Sequence, residues 1–303
     1  MKNLLVTGGL GHIGSRLIRH LLDEGHEVHC VDNLLTQRFV SLRGIINNQK
    51  FFFYQFDLSD QKLIKENFQN KNIDCIIHLA AITDAEASHG KAEAVHQNNF
   101  QSTKNIVDFC KENNIKLIFP SSTSVYGTSE DEVYEDEERF LNPQSPYAES
   151  KINEEKYIIQ NLNSNYNILR FGTIFGVSPG MRFHTAVNKF CWQAAFNLPI
   201  TVWKTALDQY RPYLDIDDAC NALSFFLDGK HDAEIFNVLT KNYTVRNIVD
   251  AILQIKHVDI EFVDSKIMNQ LSYFVKDDKI NATGFKFKGN LIDAIKSTFE
   301  WLE

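Results

Sequence analysis

The sequence has no long hydrophobic run, no excess of positive charge and no cysteine pattern. Apolar stretches such as Cys75-Ile76-Ile77 are soon cut, here by His78, and none approaches the ~18 residues that span a bilayer. Leu4-Leu5-Val6 is too short for the core of a signal peptide. The chain is therefore expected in the cytoplasm, with no membrane partner. Lys and Arg number 31 against 39 Asp and Glu, a formal net charge of −8. That field repels phosphate polymers, so no nucleic acid is expected as a partner. The five cysteines (Cys30, Cys75, Cys110, Cys191 and Cys220) are odd in number, and neither CxxC nor HxxxH occurs. Buried reduced thiols are expected rather than disulfides, and no metal site. There is no Ser/Gly-rich linker and no internal repeat, so a second lobe would pack on the first rather than hang from a tether.

What is present is a chain of 303 residues, 44% hydrophobic and 23% charged, the balance of a soluble globular protein. Short β-rich runs at 4–6, 28–31, 51–56, 75–79, 117–119 and 168–171 alternate with helical spacing at 14–23, 63–68, 92–110 and 146–159. Alternation of this kind predicts βαβ units, a parallel sheet covered on both faces. Phe51-Phe52-Phe53 reads as a strand buried on both sides. The last third predicts helices near 182–196, 217–226, 245–253 and 291–301, with strands at 200–202, 235–237 and 260–263. The fold class is α/β, a Rossmann-type doubly wound parallel sheet with a smaller α+β substrate-binding lobe. Two units are expected, residues 1–171, joined by about 213–238, and residues 172–303.

The first strand runs into Thr7-Gly8-Gly9-Leu10-Gly11-His12-Ile13-Gly14 and then a helix. Glycines at a strand end permit a tight turn and close approach of backbone to a pyrophosphate, which the open N–H groups of the helix bind. Gly8, Gly11, His12, Ile13 and Gly14 are the candidates. Asp32, beside Asn33, lies 18 residues after Gly14, close to the spacing of the acid that accepts the adenosine ribose hydroxyls. A carboxylate there repels a 2′-phosphate, so NAD is favoured over NADP. Asp57, followed by Leu58, ends the third strand and either meets the adenine or caps the next helix.

The fifth strand ends in Ser121-Ser122-Thr123-Ser124, and Ser145-Pro146-Tyr147-Ala148-Glu149-Ser150-Lys151 follows. Pro146 suits the first turn of a helix, which stacks Tyr147 and Lys151 at i and i+4. An ammonium near a phenol lowers its pKa from ~10 and prepares it as a base. Tyr147 would take a proton from a substrate hydroxyl, Ser122 would hydrogen-bond the same oxygen, and Lys151 would also contact the nicotinamide ribose.

With these motifs the sequence resembles the extended short-chain dehydrogenase/reductases, in the nucleotide-sugar epimerase/dehydratase branch. Further matches are His78-Leu79-Ala80-Ala81, Asn99 with Phe100 to Thr103, Val125-Tyr126-Gly127, the run from Leu169 to Gly176, and the run from Arg211 to Asp218. The resemblance implies a bound nucleoside-diphosphate sugar, with Leu79, Ala80, Ala81 and Asn99 at the cofactor and Ser122, Thr123, Thr173, Asn188 and Arg211 at the substrate. Arg211 would hold phosphate, unless it is spent in an ion pair with Asp208 or Asp215. It also implies a homodimer built on the helices at 92–110 and 146–159.

Departures from the family pattern narrow the chemistry. Its 4,6-dehydratases carry an Asp-Glu pair where this chain has Thr123 and Ser124, and the second phosphate-binding Arg of many epimerases is matched only by Lys266. The reading is an NAD-dependent nucleotide-sugar epimerase that oxidises carbon 4. A 4-keto-sugar reductase or sugar 4-dehydrogenase is the alternative in the same fold. A non-catalytic NAD(H)-binding regulator is disfavoured by the intact Ser122, Tyr147 and Lys151. His78 reads as a satisfied core histidine, and the acidic run from Glu130 to Glu138 as a solvated loop or a flap over the substrate.

Overall fold

Leu4, Leu5 and Val6 have no exposed surface; they form the centre of β1 (Asn3–Thr7) because a parallel strand is apolar on both faces. The computed structural model describes residues 1–83, 92–129, 131–264 and 272–303. After β1 come α1 (His12–Asp23), β2 (Glu27–Asp32), β3 (Phe51–Gln55), α2 (Gln61–Phe68), β4 (Cys75–His78), α3 (Ala92–Asn113) and β5 (Lys116–Ser122). Then follow β6 (Glu132–Val133), α4 (Pro146–Asn161), β7 (Tyr166–Phe171), β8 (Thr173–Phe175), α5 (Ala186–Ala195), β9 (Ile200–Trp203), β10 (Tyr210–Asp215) and α6 (Ile216–Phe225). The chain ends with β11 (Glu234–Val238), β12 (Lys241–Thr244), α7 (Val245–Leu253), β13 (Ile260–Val263), β14 (Phe274–Val275), α8 (Asp278–Ala282) and α9 (Leu291–Leu302).

Seven parallel strands in the order β11-β7-β5-β4-β1-β2-β3 make the main sheet. Its order reverses between β1 and β4, where Thr7 and His78 are partners; a crevice opens at such a switch point. One core covers a face of the sheet with Leu17, Ile18 and Leu21 of α1 and Leu223 and Phe226 from the α6 side. Another covers the opposite face with Ile64, Phe68, Ile106, Phe109 and Ile158. The later residues build a small sheet, β12-β10-β8, over a third core of α5, α7 and α9 side chains such as Phe190, Ile252 and Ile295.

Four expectations need correction. The Phe51 strand is not buried on both sides: β3 ends the sheet, and Phe52 is 38% exposed, stacked on His29 at 4.9 Å. Asp57 does not cap α2. Asp60 does, accepting from Lys62 N–H at 3.0 Å. The predicted helix from 182 begins only at Ala186. The acidic run is neither wholly solvated nor a free flap, since β6 pairs with β14 and buried Glu135 accepts from Asn237 Nδ2 at 3.1 Å. All five cysteines are buried free thiols, and no helix among the described residues is long and apolar enough to cross a membrane.

Candidate functional site

The ends of β1, β2 and β4 carry most of the cofactor candidates at the switch point of the sheet. Gly8 turns the chain with φ +62°, and a Cβ on it would stand 2.7 Å from Ala80 Cα. Only glycine lets β1 and the segment after β4 approach that closely. Gly11 precedes α1, whose first turn has no side-chain cap and no acidic residue. The first N–H groups of a helix lack intrahelical partners, so His12, Ile13 and Gly14 offer donors. This uncapped terminus fits the pyrophosphate of a dinucleotide.

Asp32 closes the other side of the turn. Its carboxylate accepts from Leu10 N–H at 3.1 Å and Leu34 N–H at 2.9 Å. Asn33 donates to Asp57 at 2.9 Å, and Asp57 also accepts from Ser59 N–H at 2.9 Å. Burial raises the Asp57 pKa, yet these bonds outweigh it and hold the carboxyl below its usual range. Leu58 is buried, its carbonyl held by Asn105 at 2.8 Å. Leu79 N–H donates to Thr7 O at 3.1 Å. Ala80 and Ala81 are half-buried. Asn99 is buried and braces this segment, accepting from Ile82 N–H at 2.8 Å and donating to Ile82 O at 3.0 Å.

Ser145 caps α4, accepting from Ala148 N–H at 3.2 Å, and Pro146 follows in the first turn. Tyr147 and Lys151 therefore share a face. The Lys151 ammonium is 5.9 Å from the Tyr147 ring centroid and 4.3 Å from that of Phe119. Lys151 is buried while Tyr147 and Ser122 reach solvent in part, and Ser122 is near enough to Tyr147 to lower its pKa. Ser122 also accepts from Ser124 N–H at 3.1 Å and Ser124 Oγ at 2.9 Å.

The expected drop in the Tyr147 pKa is not the net result. Burial raises it, Lys151 lowers it, Glu154 raises it, and Arg182 and the Ser122 hydrogen bond lower it, leaving the phenol above its ordinary value. Glu154 escaped the sequence reading. It is 1% exposed, and its carboxylate lies 3.1 Å from Lys151 Nζ.

The substrate candidates sit on the small sheet and α5. Thr173 pairs with Tyr213 on β10, and Arg211 stands two residues earlier on that strand, opposite Tyr243. Asp208 forms a two-pronged pair with Arg246 at 2.7 and 2.9 Å, and Asp215 caps α6. Asn188 is fully buried and works on backbone, donating to Arg182 O at 3.0 Å and accepting from Gly176 N–H at 3.2 Å. Thr123 donates to Phe171 O at 3.2 Å. Lys266 lies outside the described residues.

Arg38 and Arg182 were also missed. Arg38 donates to Gly180 O and Arg182 to Thr83 Oγ1. His12 Nδ1 meets Ser178 Oγ at 2.7 Å. Burial, then the charges of Arg182 and Arg38 and nearby His184, push His12 down to about 3, so it stays neutral. Arg182 also acts on Tyr147, so one guanidinium influences both the glycine turn and the phenol. Neither arginine has periodic neighbours to mark it in sequence.

Known proteins share this arrangement of chain. The dTDP-D-glucose 4,6-dehydratase of Bos taurus is 29% identical, over 99% of this chain and 88% of its own. The ADP-L-glycero-D-manno-heptose-6-epimerase of Brachyspira hyodysenteriae is also 29% identical, over 79% of this chain and 76% of its own. Among solved structures, the UDP-glucuronic acid 4-epimerase of Bacillus cereus, in complex with UDP-glucuronic acid and NAD, superposes with a TM-score of 0.87 at 25% identity, covering 99% of this chain and 98% of that one. The model of the NAD dependent epimerase/dehydratase family matches residues 4–238, and the chain belongs to that family.

Proposed function

We propose that this enzyme is an NAD-dependent nucleotide-sugar epimerase that oxidises the sugar at carbon 4. The observation that carries the reading is the half-exposed Tyr147, with the buried Lys151 ammonium 5.9 Å from its ring and Ser122 acting on its phenol. The uncapped start of α1 and Asp32 would hold the dinucleotide. NAD bound there supplies a hydride acceptor that can also return the hydride. Tyr147 would take the proton of the carbon-4 hydroxyl, Ser122 would orient the same oxygen, and Lys151 would stabilise the phenolate against the burial that otherwise holds the phenol protonated. Reversal of these transfers on the other face of the sugar inverts the centre.

Dehydration needs a proton donor and an acceptor at the departing hydroxyl. Thr123 and Ser124 are instead hydroxyls bound to Phe171 O and Ser122 Oγ, which supports epimerisation. Thr173, Asn188 and Arg211 would meet the nucleotide sugar. The pairing of β11 with β7 supports a nucleotide-binding unit of 1–171 completed by about 213–238, with 172–303 mainly for substrate. The groove of Phe100, Tyr157 and Lys156 between α3 and α4 supports a homodimer on those helices. The five reduced thiols support a cytoplasmic setting.

The test is incubation with UDP-, dTDP-, GDP- and CDP-sugars and catalytic NAD, followed by proton NMR. Inversion at carbon 4 without net change in NADH is expected, with a loss of ~10² or more in Tyr147→Phe. Stoichiometric use of free NADH by a 4-keto sugar would replace the reading with a reductase, and loss of water from the sugar with a dehydratase.

A further inference from the structure

A buried chain of hydrogen bonds runs from the wall of the cofactor crevice to Lys151. Ala80 N–H donates to Thr7 Oγ1 at 3.2 Å, and Thr7 Oγ1 lies 2.7 Å from His78 Nδ1. His78 Nε2 lies 3.1 Å from Thr103 Oγ1, which donates to Glu154 Oε2 at 3.0 Å. Glu154 takes two more donors, Ser150 Oγ on Oε1 at 2.7 Å and Lys151 Nζ on Oε2 at 3.1 Å. The bond from Thr103 to Glu154 fixes the direction of the whole chain. Thr103 spends its proton on the carboxylate, so it accepts from His78 Nε2–H, and His78 Nδ1 accepts from Thr7. His78 is 2% exposed and Thr103 1% exposed.

Three donors converge on a carboxylate that water does not reach. Burying it is costly unless every lone pair is engaged, and an apolar residue would fill the volume with no such demand. Glu154 also answers the charge of Lys151. An ammonium with a carboxylate in contact exerts a weaker pull on a nearby phenol than one without.

We propose that Glu154 is a positioning residue for the catalytic pair: it anchors Lys151 in a buried ion pair, is itself held through Thr103 and His78 to the cofactor wall, and sets the pH at which Tyr147 gives up its proton. This rests on the reading of Tyr147 as the base. The opposed actions of Lys151 and Glu154 on the phenol agree with it. The other charged or titratable groups around the pair are accounted for. Glu155, on the same helix, is taken by Arg170 of β7 at 2.7 Å. His78 of β4 is neutral, lowered to about 3 by burial and Lys151. Arg182, from the segment before α5, pulls the phenol down in the same sense as Lys151.

The experiment is a titration of the NAD-loaded enzyme with its tyrosines carrying carbon-13 at the hydroxyl-bearing ring carbon, read by NMR from about pH 7 to 12. The Tyr147 resonance is the one lost in Tyr147→Phe. Glu154→Gln, which keeps size and an acceptor while removing the charge, is expected to lower the Tyr147 midpoint by about one unit; Glu154→Asp, which keeps the charge, is expected to restore most of it. Glu154→Met removes the same charge and serves if the amide does not fold. The acid limb of the turnover profile should move with the midpoint. A Tyr147 midpoint in the charge-removing variant equal to that of the parent overturns the proposal. The titration needs no substrate, so a shifted midpoint in a protein that turns over no nucleotide sugar upholds the role of Glu154 and sinks the proposed reaction instead.

Discussion

A Cβ built on Gly180 would stand 2.6 Å from the carbonyl carbon of Gly11, so the chain after β8 rests directly on the turn that follows β1. Gly180 N–H donates to Ser15 Oγ at 2.9 Å, and Arg38 donates to Gly180 O. Gly180→Ala must push these two segments apart. NADH affinity is expected to fall about tenfold or more, equal to about 1.4 kcal/mol. Fluorescence titration checks this, and an unchanged Kd would show that the contact is idle.

Arg170 and Glu155 form a buried ion pair at 2.7 Å, with side chains 3% and 4% exposed. Arg170 also donates to Tyr126 Oη at 3.0 Å, and Ser121 donates to Glu155. Glu155→Gln leaves a buried guanidinium short of its counter-charge and is expected to cost about 3–5 kcal/mol in urea unfolding. The double variant Glu155→Gln/Arg170→Met should lose less than the two single losses added together. Additive losses would mean that the pair is not coupled.

His78 is held down to about 3 by burial and then by Lys151. Its neutral form belongs to the folded state, while the unfolded chain binds a proton below about 6.5. The stability it contributes is therefore complete above that pH and lost as pH falls from about 6.5 toward 3, by about 1.4 kcal/mol for each unit. His78→Gln should flatten stability against pH between about 6 and 4 by roughly one proton's worth of slope. Urea melts at successive pH values test it, and parallel curves would refute it.

Asp215 behaves in the opposite sense. Burial raises it to about 6, with the charges of Asp218 and Asp217 adding to the effect against backbone hydrogen bonds. The folded protein holds that proton more tightly than the unfolded chain, so stability falls as pH rises through about 4 to 6. Asp215→Asn keeps an acceptor for Asp217 N–H, now bonded at 2.8 Å, and removes the buried charge. The variant should be more stable by about 1–3 kcal/mol at neutral pH, with the gap closing below about pH 4. A variant less stable than the parent at pH 7 would show that the charge itself is needed.

The parallel strands were legible because residues buried on both faces leave uninterrupted apolar runs: Leu4, Leu5 and Val6 in β1, or Cys75, Ile76 and Ile77 in β4. The same logic failed at Phe52, since a strand's place in the sheet is set by topology, and β3 stands at the end of its row. Asp57 and Asp60 are equally good caps in composition, and the helix start decides between them. The shared face of Tyr147 and Lys151 was readable from their spacing on a helix behind Pro146, and Ser122 from its place at the end of a strand. Glu154 was not, because adjacent glutamates on a helix read as a solvated face. Only the packing of α4 against α3 and the sheet turns Glu154 toward Lys151 and Glu155 toward Arg170.

Every residue of β7 is buried, with β5 on one side and β11, residues 234–238, on the other. During synthesis the ribosome finishes β7 long before it delivers β11. In that interval the nascent sheet presents an apolar strand with a bare row of backbone donors and acceptors, the kind of edge that recruits other chains. The hydrogen-bonding partner that closes it arrives only after α5 and the small sheet's β8 and β10 have left the ribosome. A chain cut after β7 would make that exposure permanent.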